Sequence, residues 1–218
     1  MRTRRRTASI VENYSRDLES AEATFAERYE RNECPKQTVV GFLDLTEIAS
    51  GTYGTVYKGK WLSKDEGGQT VERFYAIKRQ GKREDPTGAI REKKILFALS
   101  VSSFVVKLHW SWKTHYFCYL VMDYAPNGNL YQIGRIPHSE ETVELLLCQI
   151  VMGLEFIHAC NVIWRDLKPN NILVFERGLL KLSDFGMASD RPRDISGTLK
   201  YMAPEVFTGE PQTGAVDW

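Results

Sequence analysis

The sequence has no excess of either charge. Lys and Arg total 29 against 28 Asp and Glu, a net charge of +1, so a surface built to neutralise a phosphate backbone is not expected and no nucleic-acid partner is predicted. Cysteine is sparse and scattered. Cys34, Cys118, Cys148 and Cys160 show none of the paired spacing of a zinc site or a small disulfide scaffold. They read as reduced thiols of a cytoplasmic or nuclear protein. No apolar run approaches the roughly 20 residues of a membrane-spanning helix, and the polar N-terminus lacks a signal-peptide core, so no membrane association is expected. Internal repeats are missing, and low complexity is confined to Arg2, Arg4, Arg5 and Arg6.

What remains is an ordinary globular composition, 43% hydrophobic and 26% charged over 218 residues, enough for one large domain or two small lobes. Residues 1–14 read as a disordered basic arm, in which "RRRTAS" offers Thr7 and Ser9 as phosphorylation points or a substrate mimic against the plainer reading of a solvated tail. Residues 15–34 read as a helical extension, with Leu18, Ala21, Phe25 and Tyr29 at helical spacing and Cys34-Pro35 as its end. From Val39 the chain turns to strand-like runs, "TVVGFLDLTEIAS", "TVYKGKWL" and "VERFYAIKRQ", the last two joined through the turn "SKDEGGQT". A helix is expected over 89–99, then strands at "VVKLHWSW" and "YFCYLVMDY", with "APNGNL" as a linker turn. Ser139 is placed to cap a helix with Glu140 and Glu141 in its first turn and Val143, Leu147, Ile150, Leu154 and Ile157 as its apolar stripe.

Several short motifs carry chemistry. "IASGTYGTV" sets Gly51 and Gly54 between two strands, where bare backbone N–H groups could approach an anion, although a hairpin that needs glycine for its turn explains the same residues. Lys78 of "YAIK" could hold phosphate oxygens as a point charge, or be a solvated lysine. Asp166 follows an apolar helix, Asn171 comes five residues later, and Asp184 opens "DFG". Two oxygen ligands with a spare carboxylate suit Mg²⁺ held against a polyphosphate, the spare Asp orienting a hydroxyl.

Six elements in order, the Gly-rich loop, "YAIK", Glu92 in "REKKIL", "RDLKPNN", "DFG" and "APE" at Ala203 to Glu205, resemble the eukaryotic protein kinases from about Phe42 to Trp218. Within them the chain is similar to the AGC group, which shares an aromatic residue before Arg-Asp and the "AVDW" ending. The resemblance implies an α+β, two-lobed kinase-like fold over 42–218, with a β-rich N-lobe (42–124) and an incomplete helical C-lobe (125–218).

It also implies transfer of the ATP γ-phosphate to a serine or threonine hydroxyl of a protein substrate. Asp166 would position that hydroxyl and Lys168 would contact the γ-phosphate. ATP would be held by Ile48, Ala49, Ser50, Gly51, Thr52, Tyr53, Gly54, Thr55 and Val56 of the loop, by Ala76, Lys78 with its ion-pair partner Glu92, and Leu173, and by backbone groups of Asp123 and Ala125 beyond a gatekeeper Met122. Mg²⁺ would bind Asn171 and Asp184. Trp164 is expected to stack beneath Phe185 in an apolar column through Leu96 and Leu108, and Thr198 to contact Asp166 and Lys168.

Departures from the family pattern shape further expectations. Ala49 replaces the first loop glycine. Asn129 and Asn170 are uncharged where arginine-preferring members carry acids, so no basic preference follows. The large lobe reads as truncated, which would compromise Asp217 as an anchor of the catalytic loop, leave Glu205 buried without its arginine, and expose an apolar face under Leu147 and Leu154. That face leaves room for a regulatory protein, and the competing reading of the whole chain is a non-catalytic kinase-like module that binds nucleotide or a partner. Asp194 falls where AGC kinases carry an activating phosphothreonine, and a constant charge there would pair with Arg165. Asp194→Asn is therefore expected to lower phosphate transfer severalfold; unchanged transfer would remove that role.

Overall fold

The computed structural model describes residues 14–37, 40–51, 54–81, 86–135, 138–189 and 197–218. Thr7, Ser9, Thr52, Tyr53 and Asp194 lie outside them.

The β-branched and aromatic runs form one antiparallel sheet from β1 (Phe42–Gly51), β2 (Gly54–Lys64), β3 (Thr70–Gly81), β4 (Leu108–Lys113) and β5 (Phe117–Asp123), in the order β1-β2-β3-β5-β4. Phe42, Tyr75, Ile77 and Val121 make a small core on one face, with Trp61 and Trp110 packed against them. The ring centroids of Phe42 and Trp61 lie 5.0 Å apart. The β2–β3 turn closes on Asp65, whose carboxylate accepts the N–H groups of Gly67 and Gln69, each at 2.9 Å. At the β1–β2 tip Gly54 is required. Its φ of +128° is outside the range of L side chains, and a Cβ would meet the Arg79 carbonyl oxygen at 2.1 Å.

The other sheet face receives helix α2 (Pro86–Leu99), which buries Ile95, Leu96 and Leu99 in a second, larger core. That core runs without a break into the helical lobe through Leu154, Ile157, Trp164, Ile172, Leu182 and Phe185. The lobes are also joined by backbone, because Val106 donates to the Leu182 carbonyl (3.0 Å) and Leu182 to that of Phe104 (2.8 Å). Leu182 lies on β7 (Leu180–Leu182), which pairs with β6 (Ile172–Val174).

Four sequence expectations are corrected. The N-terminal helix α1 (Ala21–Arg31) stops before Cys34-Pro35, because Asn32 adopts the left-handed conformation (φ 48°) and returns its N–H to the Arg28 carbonyl. "APNGNL" is not only a turn. Asn129 and Gln132 exchange side-chain and backbone hydrogen bonds in a capping box that starts the short helix α3 (Leu130–Ile133).

Helix α4 (Glu140–Ala159) is capped by Ser139, which accepts the Thr142 N–H, but its stripe is only half covered. Leu154 and Ile157 are buried while Val143 and Leu147 are exposed, so the open apolar face excludes Leu154 and takes in Leu145 and Val151 instead. The same helix overturns the view that no segment has the length for a membrane span. By length and composition its 20 residues qualify, although its C-terminal half, with Gly153, Leu154, Phe156 and Ile157, is packed inside the protein.

This division can be tested by unfolding in denaturant. Leu154→Ala is expected to cost about 2–5 kcal/mol, whereas Leu147→Ala should stay within about 0.5 kcal/mol; equal losses would show that the outer half of α4 is also buried.

Candidate active site

β3 alternates its side chains, so Ala76, Lys78 and Gln80 share one face, and all three are buried. Lys78 Nζ lies 2.8 Å from Glu92 Oε1 on α2 and 2.8 Å from Asp184 Oδ1 after β7. Gln80 Nε2 donates to the other Glu92 oxygen in a short contact. Burial works against the Lys78 ammonium, but the charges of Glu92 and Asp184 and the bonds to them prevail and hold its pKa above the usual lysine range. Burial opposes the Asp184 charge as well, and Lys78 outweighs it, with help from the Gly186 N–H, so Asp184 is held below the ordinary carboxylate value. Glu92 is drawn upward by its burial and by the like charge of Asp184, with Lys78 and Gln80 opposing.

The loop after α4 places the second carboxylate. Asp166, 4% exposed, accepts the Thr198 hydroxyl at Oδ1 (2.6 Å) and the Lys168 ammonium at Oδ2 (2.7 Å). Lys168 also donates to Thr198 Oγ1 at 2.7 Å. Asn171 Nδ2 donates to Asp166 Oδ2 (2.7 Å) and to the Asp166 carbonyl (2.9 Å). Asn171 is set beside Asp184 by Ser183, whose N–H (2.9 Å) and hydroxyl (2.8 Å) both donate to the Asn171 carbonyl.

Asp217 fixes the loop from beneath. Its carboxylate accepts the N–H groups of Trp164 (2.8 Å) and Arg165 (2.6 Å) and contacts His158 Nε2 at 2.9 Å. The expectation of a compromised anchor is therefore wrong: the 3-10 turn Gly214–Asp217 brings Asp217 fully inside. Glu205 is also not buried; at the start of helix α5 (Pro204–Thr208) it is half-exposed. Trp164 and Phe185, both fully buried, stack with centroids 5.9 Å apart and planes 29° apart, and Trp164 Nε1 donates to the Asp184 carbonyl at 3.1 Å. Leu96 and Leu108 belong to the same buried cluster.

The residues assigned to the nucleotide lie on both lobes. Ile48, Ala49, Ser50 and Gly51 are exposed on β1, while Gly54, Thr55 and Val56 are half-buried on β2. Ala125 and Leu173 are half-buried on the helical side, and Met122 is buried at the end of β5. The Asp123 N–H is committed to the Lys107 carbonyl at 3.1 Å, so any part Asp123 takes in holding a ligand falls to its carbonyl.

A divalent cation fits the donor set. Asp184 and Asn171 supply oxygen atoms on one side of the site, both side-chain bonds of Asn171 to Asp166 use Nδ2, and the Asp184 side chain is one-third exposed. Among the described residues no cluster of three His, Cys, Asp or Glu side chains forms a closed cage. Mg²⁺ commonly binds through one or two protein ligands with substrate phosphates completing its shell.

Two contributions escaped the sequence reading. Gln80 shares the Lys78 face two residues on, a signal that strand alternation alone supplies. The Asp123 side chain had no such signal. It meets His109 Nε2 at 2.7 Å on β4 and Lys181 Nζ at 2.6 Å on β7, tying the two lobes together.

The chain belongs to the protein kinase domain family, which it matches over residues 42–218. It is similar to the human cAMP-dependent protein kinase catalytic subunit PRKX, 32% identical over 196 residues that cover 85% of this chain and 52% of the relative. It is 29% identical to Protein kinase 3 of Dictyostelium discoideum over 232 residues, 96% of this chain and 24% of that protein. Mouse ribosomal protein S6 kinase alpha-1 is 31% identical over 182 residues, 80% of this chain and 25% of the kinase. The chain thus spans about half the length of PRKX and a quarter of the other two.

The Asp123 bridge makes a pH prediction. Burial disfavours its charge, but the bonds from His109 and Lys181 outweigh that and lower its pKa from 3.8 to about 2. A depressed carboxylate contributes stability above the unfolded value that is lost as pH falls through the folded one. In urea unfolding, the advantage of the native chain over Asp123→Asn should shrink by about 2 kcal/mol between pH 5 and pH 2. A constant difference would mean that Asp123 is not held by its partners.

Proposed function

We propose that the chain is a serine/threonine protein kinase of AGC type that moves the γ-phosphate of ATP to a protein hydroxyl. The observation that carries this reading is the immobilised Asp166. Four hydrogen bonds from Lys168, Thr198 and Asn171 converge on its carboxylate and carbonyl, a degree of fixation that a surface carboxylate does not need. Phosphoryl transfer asks the protein mainly for positioning and charge stabilisation. Asp166 takes the proton of the substrate hydroxyl as the new oxygen–phosphorus bond forms and the bond to the leaving ADP oxygen breaks. Lys168, 2.7 Å from that carboxylate, supports the charge on the phosphoryl oxygens in flight. Lys78 holds the remaining phosphates. Asn171 and Asp184 would hold Mg²⁺, which would supply positive charge to offset that of the phosphates.

A preference for basic substrates is not part of the proposal, because the Asn129 amide is occupied by its own capping box and Asn170 is exposed and uncharged. A cytoplasmic or nuclear location is supported by four free, dispersed cysteines. The apolar outer half of α4 supports a place for a regulatory protein.

The test is phosphate transfer from Mg·ATP to a mixed serine and threonine peptide library. Asp166→Asn is expected to lower turnover by at least about 100-fold without unfolding the chain. No transfer by the folded native chain would overturn the kinase reading in favour of a non-catalytic module that binds nucleotide or a partner.

A further inference from the structure

The Asp166 carboxylate is bordered by a turn that carries a cation. After Thr198 the chain makes a single 3-10 turn, Leu199–Tyr201, closed by the Tyr201 N–H on the Thr198 carbonyl at 2.8 Å. That turn is fixed at its root. The Thr198 hydroxyl donates to Asp166 Oδ1 (2.6 Å) and accepts the Lys168 ammonium (2.7 Å). Gly197 runs so close to the loop that carries Asp166 that a Cβ would lie 2.6 Å from the Arg165 carbonyl oxygen and 3.4 Å from Met202.

The turn holds its side chains out to solvent, and Leu199, Lys200 and Tyr201 are all exposed. Lys200 stands two residues from Thr198, so the two Cα atoms are at most about 7 Å apart. It makes no ion pair among the described residues. Its ammonium is thus a free charge on a rigid backbone, beside the carboxylate that receives a hydroxyl.

The neighbouring elements offer little to balance it. Asn170, in the 3-10 turn Pro169–Asn171, is exposed and neutral. Asn129, at the start of α3, is also neutral and accepts the Gln132 N–H with its side chain. Lys168 adds a second positive charge, and Asp166 is buried and already met by Lys168, Thr198 and Asn171. The next acid along the chain is Glu205, in the first turn of α5, and it is not paired with Lys200. A peptide crossing this surface therefore meets positive charge and uncharged amides.

We propose that Lys200 is a specificity-determining residue that selects acidic peptides, its ammonium pairing with an aspartate or glutamate a few residues from the acceptor hydroxyl. The acceptor role of Asp166 rests on the kinase reading; the preference for an acidic flank deepens it. Lys200 touches the flank of the substrate and not the reacting atoms, so it acts through binding and is read in KM more than in kcat. An exposed ion pair alone contributes modestly. Repulsion of a basic residue at the same place widens the discrimination.

The test uses the whole chain with Mg·ATP and serine peptides that differ only in carrying Asp, Asn or Lys at one position before or after the acceptor. At the best position, kcat/KM for Asp should exceed that for Lys by about tenfold, with Asn between them. Lys200→Ala should bring the Asp to Lys ratio close to one, and Lys200→Glu should invert it. Lys64→Glu, the same charge reversal on the exposed end of β2, should leave the ratio unchanged. The assignment is overturned if no position favours Asp over Lys by more than about twofold, if the preference survives Lys200→Glu, or if Lys64→Glu abolishes it equally. Fluorescence anisotropy with labelled peptides bearing alanine in place of the acceptor serine reads the same preference without turnover. A native chain that transfers no phosphate would sink the kinase reading, while tighter binding of the Asp peptide, inverted by Lys200→Glu, would still establish the acidic selection and equal binding would remove it.

Discussion

A lysine ammonium withdrawn from water has to be met by anions, and that need organises the centre of this protein. Lys78 is only 6% exposed, and an isolated buried charge of this kind would neutralise or disrupt the fold. Its two carboxylates come from different elements, Glu92 from α2 and Asp184 from the turn after β7, so satisfying one charge aligns sheet, helix and helical lobe. The arrangement is not balanced. Two carboxylates face one ammonium, Gln80 relieves only the Glu92 side, and the Asp184 side, next to Asn171, is where a further cation improves the local charge.

The loop that carries Asp166 shows how such a centre tolerates backbone strain. Arg165 and Asp184 both adopt left-handed φ values, 66° and 59°, which for residues other than glycine cost about 1–3 kcal/mol each. They flank the residues that matter, Asp166 on one side and Phe185 on the other. Two charge-assisted bonds that the Asp217 carboxylate accepts from the N–H groups of Trp164 and Arg165 are each worth about 1.5–3 kcal/mol, enough to offset that strain. Gly197 belongs to the same device, since at φ +132° a Cβ would lie 2.6 Å from the Arg165 carbonyl oxygen.

The strand and helix order was legible because each element carries its own period and its own ending. Alternation and β-branched residues marked the sheet, Ser139 with Glu140 and Glu141 marked the start of α4, and the ordered motifs indicated which polar residues would meet. The sequence did not reveal contacts made by ordinary residues across long separations. Asp123 gripping His109 and Lys181, or Arg28 reaching Phe97, involve residue types that are solvated on most surfaces, and only the fold brings them together. Asp217 was misjudged for a related reason. Proximity to the last residue suggested fraying, but three hydrogen-bonding contacts to the buried loop hold it more firmly than its position in the chain implies.

Helix α4 separates two properties that a single apolar stripe appears to merge. Periodicity reports which side of a helix is apolar, and it cannot report whether anything lies against that side. The covered half, Gly153 to Ile157, packs on the main core. Gly153 there brings the helix so close that an added Cβ would meet Leu182 Cδ1 at 2.8 Å. This is the half that runs directly into Cys160, Val162 and the catalytic loop. The open half around Leu145, Leu147 and Val151 lies two or more turns away from those residues. Asp166 is therefore positioned by contacts that the exposed half does not make, and anything bound to that face would reach the site through the helix and not by completing it.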